Sequence, residues 1–487
     1  MTDYYETEII MLDKVFKSKI FIALYTPVLF LLACMVAIKN QEIIGTVVFL
    51  YITAVMLLLS SRLTDAMLPA LLLCVFVTRC YNSADQFMAL ALYFVPPIVA
   101  VVLHFVLYAK RLRFCIGRSF FGLCGVTLAV TLGGLGTISA GEYFAGGALF
   151  YVFGLGLGMV LFYLLVKANS DEDSPRDVLR VIYVMGLFAC FCVIRFYVAE
   201  WETVWQTIRE TKQLVEFQSS NNLATLLMIA MPIPLFYASR RYIDILSVFL
   251  IYTCVFLTGS RGGLLMGTVE FVLIFFAFAI YDKRIINRIL FALIGIGFIV
   301  AMYRSIPYIA EFYSIDLGLE DGETATLLDY VEKLKGFFVK DGEARVTLLD
   351  RMKQDFKSNP VFGVGIGYTG NEDAYNPVKG AMNWYHMWFA QVIGGLGIVG
   401  ILAYGYQLVD RIVIFFKNRS LLNFTFLLSY AGLLLMSQVN PGEFCPMPYA
   451  ALAMTYLALM EKDTKSFKDV IGSIRARLAP GVPSEAA

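Results

Sequence analysis

The sequence predicts an all-α, polytopic integral membrane protein with about 14 transmembrane helices and one large outer loop. The first observation is composition: 59% of the 487 residues are hydrophobic and 16% are charged, against about 45–50% and 25% in soluble domains. The second is that the apolar residues form repeated blocks, each near the roughly 20 helical residues that cross a hydrocarbon core. The third is that basic residues are concentrated in every second loop between these blocks.

The apolar blocks divide the chain into four parts. Residues 1–303 contain predicted transmembrane helices 1–11, and residues 304–385 form a large extracytoplasmic loop with amphipathic helices. Residues 386–461 contain predicted helices 12–14, and residues 462–487 form a basic cytoplasmic tail. The blocks are centred on residues 20–38, 43–60, 65–79, 87–108, 119–138, 144–166, 178–197, 222–238, 243–259, 263–281, 289–303, 386–408, 421–438 and 445–461.

The short loops alternate sharply in basic residues. If the N-terminus is cytoplasmic, the short inner loops hold sixteen Lys and Arg residues and the short outer loops hold three. This bias predicts a multi-pass protein with both termini in the cytoplasm. The net charge of +1 gives no reason to expect a nucleic-acid partner, and membrane lipids are the expected surroundings. The outer residues are Lys39, Arg79 and Arg261; the inner ones are Arg62, Lys110, Arg111, Arg113, Arg118, Lys167, Arg176, Arg180, Arg240, Arg241, Lys283, Arg284, Arg288, Arg411, Lys417 and Arg419.

Of the two histidines, His386 is the candidate for chemistry. It stands at the outer end of the twelfth block, whereas His104 stands near the inner end of its block and is interpreted as packed. Ala390, Gly394 and Gly397 follow His386 at offsets that keep one helix face, and small residues there allow a neighbouring helix to approach closely. The alternative is an interfacial histidine that only caps a helix end.

The same stretch spells G-x-G-x-x-G at Gly395, Gly397 and Gly400. A nucleotide-binding fingerprint needs a preceding strand within a βαβ unit, and this one lies inside a predicted membrane helix. Close helix packing is therefore the preferred interpretation.

Arg261 lies in "TGSRGG", at the outer boundary between the ninth and tenth blocks. The glycines favour a tight turn, and the tenth helix begins there. A guanidinium beside a helix N-terminus suits an oxyanion or phosphate. The alternative is a turn arginine that reaches lipid headgroups.

Arg345 and Arg351 stand on a predicted helix at the end of the large loop, and Pro360 ends that helix. Gly363 and Gly365 then predict a flexible segment whose backbone amides could approach a phosphate. A plain connector would have the same glycines.

All four tryptophans lie on the predicted outer side, in two pairs spaced i, i+4. Trp384 and Trp388 are interpreted as membrane-interface residues, whereas Trp201 and Trp205 stay open between that role and sugar stacking. Arg195, near the outer end of the seventh block, needs a partner or an anionic ligand.

Taken in order, three motifs resemble one family: "SRGG", Arg345 followed by "NPVFGVGIGY", and "YHMWFAQVIGGLGIVG". They are similar to those of the O-antigen ligase and the O-antigen and exopolysaccharide polymerase family. "SNNLATLLMIAMPI" resembles the N-x-x-A helix of that family, with Asn222 at the matching place. The resemblance covers roughly residues 215–410.

The sequence departs from the family pattern at three places. Met387 stands where the family usually has asparagine after the histidine. Gln391 or Val392 stands in place of the usual glutamate before the glycines, and Leu349 in place of a common tryptophan.

The resemblance implies a lipid-linked-sugar (GT-C type) glycosyltransferase fold in the inner membrane of a bacterium, with the active site on the outer face. The donor would be a glycan on undecaprenyl pyrophosphate, and the acceptor a hydroxyl of a glycan or lipid. Arg261 and Arg345 would neutralise the diphosphate, and His386 would accept or orient the acceptor hydroxyl, with inversion. No D-x-D or D-D pair is found on an outer loop, so no metal and no other cofactor is predicted. The substrate-binding candidates are Arg195, Asn222, Arg351, Gly363, Gly365, Trp201 and Trp205.

The alternative function is a transporter or flippase for a polysaccharide or lipid-linked sugar. Such a protein would need polar groups near the bilayer midplane, and Glu270 is the best candidate for one. Ligase and polymerase differ only in the acceptor, which no residue pattern identifies. The oligomeric state is likewise open.

Overall fold

The protein is described here by a computed structural model. It describes residues 15–16, 18–80, 91–109, 112–137, 152–211, 220–238, 243–312, 329, 342–366, 385–440, 442–444, 446–462, 464–466 and 469. These residues are almost entirely helical, which confirms the all-α class.

Short 3₁₀ and π-helical turns and one two-stranded β pair accompany the helices of the described residues. A 3₁₀ turn at Ala91–Phe94 precedes α4, and a 3₁₀ turn (Gly442–Phe444) and a π-helical turn (Pro446–Ala450) precede α17. β1 (Cys115–Ile116) pairs antiparallel with β2 (Lys465–Ser466). The helices are α1 (Lys19–Ile38), α2 (Glu42–Leu59), α3 (Leu63–Cys80), α4 (Val95–Leu107), α5 (Arg118–Leu132), α6 (Leu157–Asn169), α7 (Ser174–Ala199), α8 (Trp201–Thr211), α9 (Ser220–Ala230), α10 (Ile233–Ala238), α11 (Asp244–Leu257), α12 (Arg261–Tyr281), α13 (Ile285–Phe312), α14 (Gly342–Ser358), α15 (Trp388–Lys417), α16 (Leu421–Met436) and α17 (Ala451–Met460).

The membrane character follows from length and composition. Within the described ranges, eight helical segments are long and apolar enough to cross a membrane, and six shorter apolar helices of 10–17 residues accompany them. Each segment overlaps one predicted apolar block. The count of 14 spans stays a prediction, because the six shorter helices fall below the roughly 20 residues that a full crossing takes.

The first residues of the predicted large loop continue a membrane helix. α13 continues to Phe312, so its last nine residues, 304–312, are helical. An apolar block shows which residues fit the hydrocarbon core and not where the helix ends, so a helix can extend beyond its apolar block. Residues 313–328, 330–341 and 367–384 of the loop, and most of the tail after residue 466, lie outside the described residues.

The core of the bundle lies around α7, α9 and α16. The span Ser220–Ala238 is 78% buried, whereas the span Ile285–Glu311 is 17% buried and presents its apolar side chains outward. A Cβ built on Gly186 of α7 would lie 2.4 Å from the Cβ of Ala230, so a small residue is required where these helices touch.

Charged contacts join neighbouring helices at one end of the bundle, here called the Arg62 end. Arg62 pairs with Asp177 at the start of α7. Arg118 at the start of α5 pairs with Asp410 of α15, a residue 292 positions later in the chain. The loops at this end are among those predicted to be cytoplasmic.

α15 is not the continuous helix that the glycine spacing predicted. Gly397 has φ 61° and ψ −153°, which is outside the helical region. The ring of Trp388 lies 5.9 Å from the ring of Tyr404, although 16 residues of straight helix would separate them by about 24 Å. α15 therefore bends sharply at Gly397, and its first half, 388–396, folds toward its second, 398–417.

A loop, rather than a neighbouring helix, occupies the glycine face of α15. The Ile398 amide donates to the Pro360 carbonyl (2.9 Å), and the Val364 amide donates to the Gly394 carbonyl (3.0 Å). Backbone groups freed by a helix break inside a membrane need such partners, since lipid offers none. The segment 359–366 supplies them.

Candidate active site

The first turns of α12 and α15 lie against a turn formed by residues 437–440, here called the 437–440 turn. The Trp388 amide at the start of α15 donates to the Ser437 carbonyl (2.8 Å). A Cβ built on Gly262 would lie 2.8 Å from a methyl of Val439, so the first turn of α12 presses directly on the same turn. Arg261 and His386 thus flank one short stretch of backbone.

A third helix begins at the same place. The Asn440 side-chain amide donates to Oδ1 of Asn222 (2.9 Å) in the first turn of α9, and the Tyr449 hydroxyl donates to the Asn222 carbonyl (2.9 Å). The N-termini of α9, α12 and α15 therefore converge on the 437–440 turn. Helix N-termini carry partial positive charge, so this region favours a negatively charged ligand.

Arg261 is the first residue of α12, and its turn is fixed by side-chain hydrogen bonds. Ser260 is the N-cap: its Oγ accepts from the Gly263 amide (2.8 Å) and donates to Oδ1 of Asn221 (2.6 Å). This capping places a guanidinium at the positive end of the helix dipole. Both features attract an anion.

His386 lies two residues before α15, in a conformation that is uncommon for a side chain of its kind. Its φ is 55°, in the left-handed region that few non-glycine residues adopt. Its neighbours Tyr385 and Met387 are buried, with 0% and 7% exposure, while His386 is half-buried. The two buried side chains anchor the segment and hold the imidazole at the edge of the protein interior.

Tyr385 connects this segment to α14. Its hydroxyl donates to Oδ2 of Asp355 (2.5 Å), which also accepts from Nε of Arg351 at 3.4 Å. Its backbone amide donates to Oε1 of Gln391, which is fully buried (3.1 Å). A Cβ on Gly394 would lie 2.7 Å from the Tyr385 hydroxyl, so the small residue makes room for the ring.

Sequence reasoning missed Tyr385, Asp355, Ser437 and Asn440. Asp355 stands four residues after Arg351, a helical pair spacing that could have indicated it. Tyr385 adjoins His386, but its contact with α14 is not visible in the sequence. The 437–440 turn carries no motif at all.

The glycine segment does not offer its amides to a ligand as predicted. The Gly363 amide donates to the Asn359 carbonyl (2.8 Å) and the Gly365 amide to the Gly395 carbonyl (2.8 Å). Arg345 lies on α14, and its side chain is outside the described residues. Gly363 and Gly365 therefore serve the fold, because they fill the break in α15.

Arg195 has partners within the protein. Its Nη2 donates to Oδ1 of Asn40 (2.7 Å) and to the Ile38 carbonyl (3.3 Å) at the end of α1. The physical reason for expecting an anionic ligand at this residue is thereby removed.

Trp201 and Trp205 are exposed on α8 and stack on each other, with ring centroids 5.6 Å apart.

Trp388, which was predicted to lie at the membrane interface, is partly packed inside the protein. Its indole is half-buried against Tyr404, and its Nε1 is buried without a hydrogen-bond acceptor among the described residues. Trp384 lies outside the described residues.

His104 is packed, as predicted. Its Nδ1 lies 2.6 Å from the Leu57 carbonyl, and its Nε2 lies 3.0 Å from Oδ1 of Asn169.

Arg411, assigned to an inner loop from the sequence, is a buried residue of α15. It is 3% exposed and pairs with Glu443 at 2.6 Å, just after the 437–440 turn. Its guanidinium also lies 4.1 Å from the ring centre of Tyr430, whose hydroxyl donates to Glu443 at 3.1 Å. The bend in α15 makes this contact possible, because it brings the second half of the helix beneath the turn.

Comparison with known proteins adds one finding to this geometry. Residues 246–405 match the family model described as O-antigen ligase. This segment belongs to the O-antigen ligase family. The match contains Arg261, Arg345 and His386, and it confirms the resemblance seen in the motifs. No curated protein and no solved structure matches the chain.

Proposed function

We propose that this O-antigen ligase family chain is a membrane glycosyltransferase. It moves a glycan from undecaprenyl pyrophosphate to an acceptor hydroxyl on the outer face of the cytoplasmic membrane, with inversion and without a metal. The observation that carries the proposal is the convergence of three helix N-termini on the 437–440 turn, with Arg261 and His386 on either side.

The donor side of the proposal rests on charge. A diphosphate leaving group gains negative charge as the sugar departs, and preorganised positive groups stabilise that charge. Arg261 and the three helix N-termini supply such groups, and Arg345 is the second arginine. It belongs to α14, whose Asp355 binds Tyr385 next to His386.

The acceptor side rests on His386. The acceptor oxygen forms its bond to the anomeric carbon as the bond from that carbon to the diphosphate breaks, and the hydroxyl proton passes to the imidazole. Ligase and polymerase differ in whether the acceptor is a lipid-borne core sugar or another chain of the same glycan.

The decisive variant is His386→Asn, measured as glycan transfer from the lipid-linked donor in membranes with matched protein levels. Asparagine tolerates positive φ better than alanine, so the backbone is kept while the base is lost. Transfer should fall about 10²–10⁴-fold. His104→Asn is the matched control, and transfer per folded molecule should stay near wild type.

Arg261→Lys tests the donor side. The variant keeps the charge and loses the forked geometry, so transfer should fall clearly while Arg284→Lys at the opposite end of α12 leaves it unchanged. Near-normal transfer in both His386→Asn and Arg261→Lys would refute the proposed site.

A transporter or flippase is the second candidate, favoured by Glu270. This residue of α12 is 1% exposed, and neither carboxylate oxygen has a hydrogen-bond partner among the described residues. Intramembrane acids of this kind often mark transport paths. Loss of glycan translocation in Glu270→Gln, with transfer chemistry intact in detergent, would favour this alternative.

A further inference from the structure

A cavity of about 580 Å³ opens at the Arg62 end of the bundle. It lies between the first turns of α1 and α7 and the segment that joins α2 to α3. One wall is mainly apolar and comes from α1, and the other is charged. The apolar wall includes Ile22, Ala23 and Pro27. The charged wall consists of three arginines and two aspartates: Arg62, Arg176, Arg180, Asp173 and Asp177.

Three donors in the walls of this cavity are buried without an acceptor. They are Oγ1 of Thr26, Nε of Arg62 and Nε of Arg180, judged over the described residues. Arg62 is 6% exposed, so water does not compensate its guanidinium from outside. Buried donors are normally satisfied, and three of them around one cavity indicate a ligand that accepts hydrogen bonds.

The carboxylates nearby do not saturate these arginines. Asp177 pairs with Arg62 and lies 3.2 Å from Nη2 of Arg180. Asp171 lies 3.8 Å from Nε of Arg62, and its Oδ1 accepts from the Ser174 amide (2.8 Å). Burial raises the pKa of Asp171, but the Ser174 hydrogen bonds and Arg62 lower it more, so this carboxyl is ionised at neutral pH.

The cavity adjoins a lipid-facing surface. Ile20, Leu24 and Val28 on the outward side of α1 are 74%, 63% and 59% exposed. α1 begins at Lys19, so the cavity lies beside its first two turns, where the headgroups of the nearer leaflet would meet a membrane helix. A ligand with a phosphate in the cavity could extend its acyl chains along these residues.

We propose that this cavity binds the phosphate of a membrane phospholipid, with Arg62, Arg176, Arg180 and Thr26 around the headgroup. The site is separate from the glycan site. α7 is 26 residues long and starts at this cavity, and its far end is about 39 Å away. There the Tyr197 hydroxyl donates to the Leu257 carbonyl (2.8 Å), close to the Arg261 turn.

The test uses the purified full chain in detergent, titrated with short-chain phosphatidylglycerol and followed by native mass spectrometry. The wild type should retain one phospholipid. Arg176→Gln removes an exposed cation of the wall, and Thr26→Val removes a hydroxyl without changing side-chain shape. Each should weaken lipid retention about tenfold or more, since charge-assisted and buried hydrogen bonds to phosphate are lost.

Lys283→Gln is the control, because Lys283 is an exposed cation in the loop between α12 and α13, away from the cavity wall. It should retain lipid like the wild type. A parallel titration with inorganic phosphate separates the sources: displacement of lipid by millimolar phosphate, lost in Arg176→Gln, would still support the phosphate site but assign it a soluble ligand. Lipid retention that is absent from the wild type, or equal in Arg176→Gln, Thr26→Val and Lys283→Gln, would overturn the proposal.

Discussion

His386 combines a strained backbone with a half-buried imidazole, and the two features belong together. The φ of 55° costs roughly 1–3 kcal/mol for a non-glycine residue unless the surroundings enforce it. The buried side chains of Tyr385 and Met387 enforce it here. Strain retained at one polar residue is typical of functional sites.

Substitution at His386 should therefore separate strain from chemistry. His386→Gly should keep or raise stability, whereas His386→Val should lower it by about 1–3 kcal/mol, because a β-branched residue resists positive φ. Thermal unfolding of the purified proteins measures the difference. Equal melting temperatures for the two variants would contradict the strained conformation.

Tyr385 should act as a positioning residue. Tyr385→Phe removes the hydrogen bond to Asp355 and leaves a partly buried carboxylate with one partner fewer, which should cost about 1–2 kcal/mol of stability. Transfer should fall less than in His386→Asn, with the larger effect on KM, because the chemistry at the imidazole is retained. A kcat loss as large as that of His386→Asn would assign Tyr385 a direct role.

At the scale of elements, the bend in α15 decides the shape of the site. It places the start of the helix against the 437–440 turn and the second half beneath that turn, where Arg411 meets Glu443. A straight helix would move His386 away from the ends of α9 and α12. The site therefore depends on Gly397 as much as on its polar residues.

Gly397→Ala should be strongly destabilising. At φ 61° a Cβ would lie 2.6 Å from the Pro360 carbonyl and 2.7 Å from the Gly363 amide. Backbone strain alone costs about 1–3 kcal/mol, and the steric overlap adds to it. Gly405→Ala is the control, because its Cβ would meet nothing within 4 Å. Protein yield in membranes and melting temperature are the measurements, and similar values for both variants would argue against the bend.

The sequence was sufficient for the apolar blocks, because burial in lipid imposes composition on each helix separately. It was sufficient to single out Arg261 and His386 as candidates, because they carry recognisable local motifs, and their roles stay predictions. It was not sufficient for the bend at Gly397, since the same glycines fit a continuous helix packed against a neighbour. The deciding partner is the 359–366 loop, and hydrogen bonds between segments distant in the chain leave no periodic pattern.

At the scale of the whole molecule, charged contacts collect at the Arg62 end, and the N-termini of α9, α12 and α15 collect at the other. We predict that the Arg62 end is cytoplasmic. In a background without reactive cysteines, Glu202→Cys should react with an impermeant thiol reagent added outside, and Lys283→Cys only after the membrane is opened. Both positions are exposed, so access depends on the side of the membrane. The reverse pattern would invert the topology and move the proposed active site to the wrong face.

The pair between Arg118 and Asp410 has a consequence for how the protein is made. The two residues are 292 positions apart, so at about 5–20 residues per second Arg118 leaves the ribosome roughly 15–60 s before its partner exists. Asn359, which donates to the Leu135 carbonyl at the other end of α5 (2.7 Å), also arrives late. During that interval α5 sits in the bilayer without the contacts that hold both its ends. A stalled or truncated chain that stops before α15 would present this unfinished helix to the quality-control proteases of the membrane.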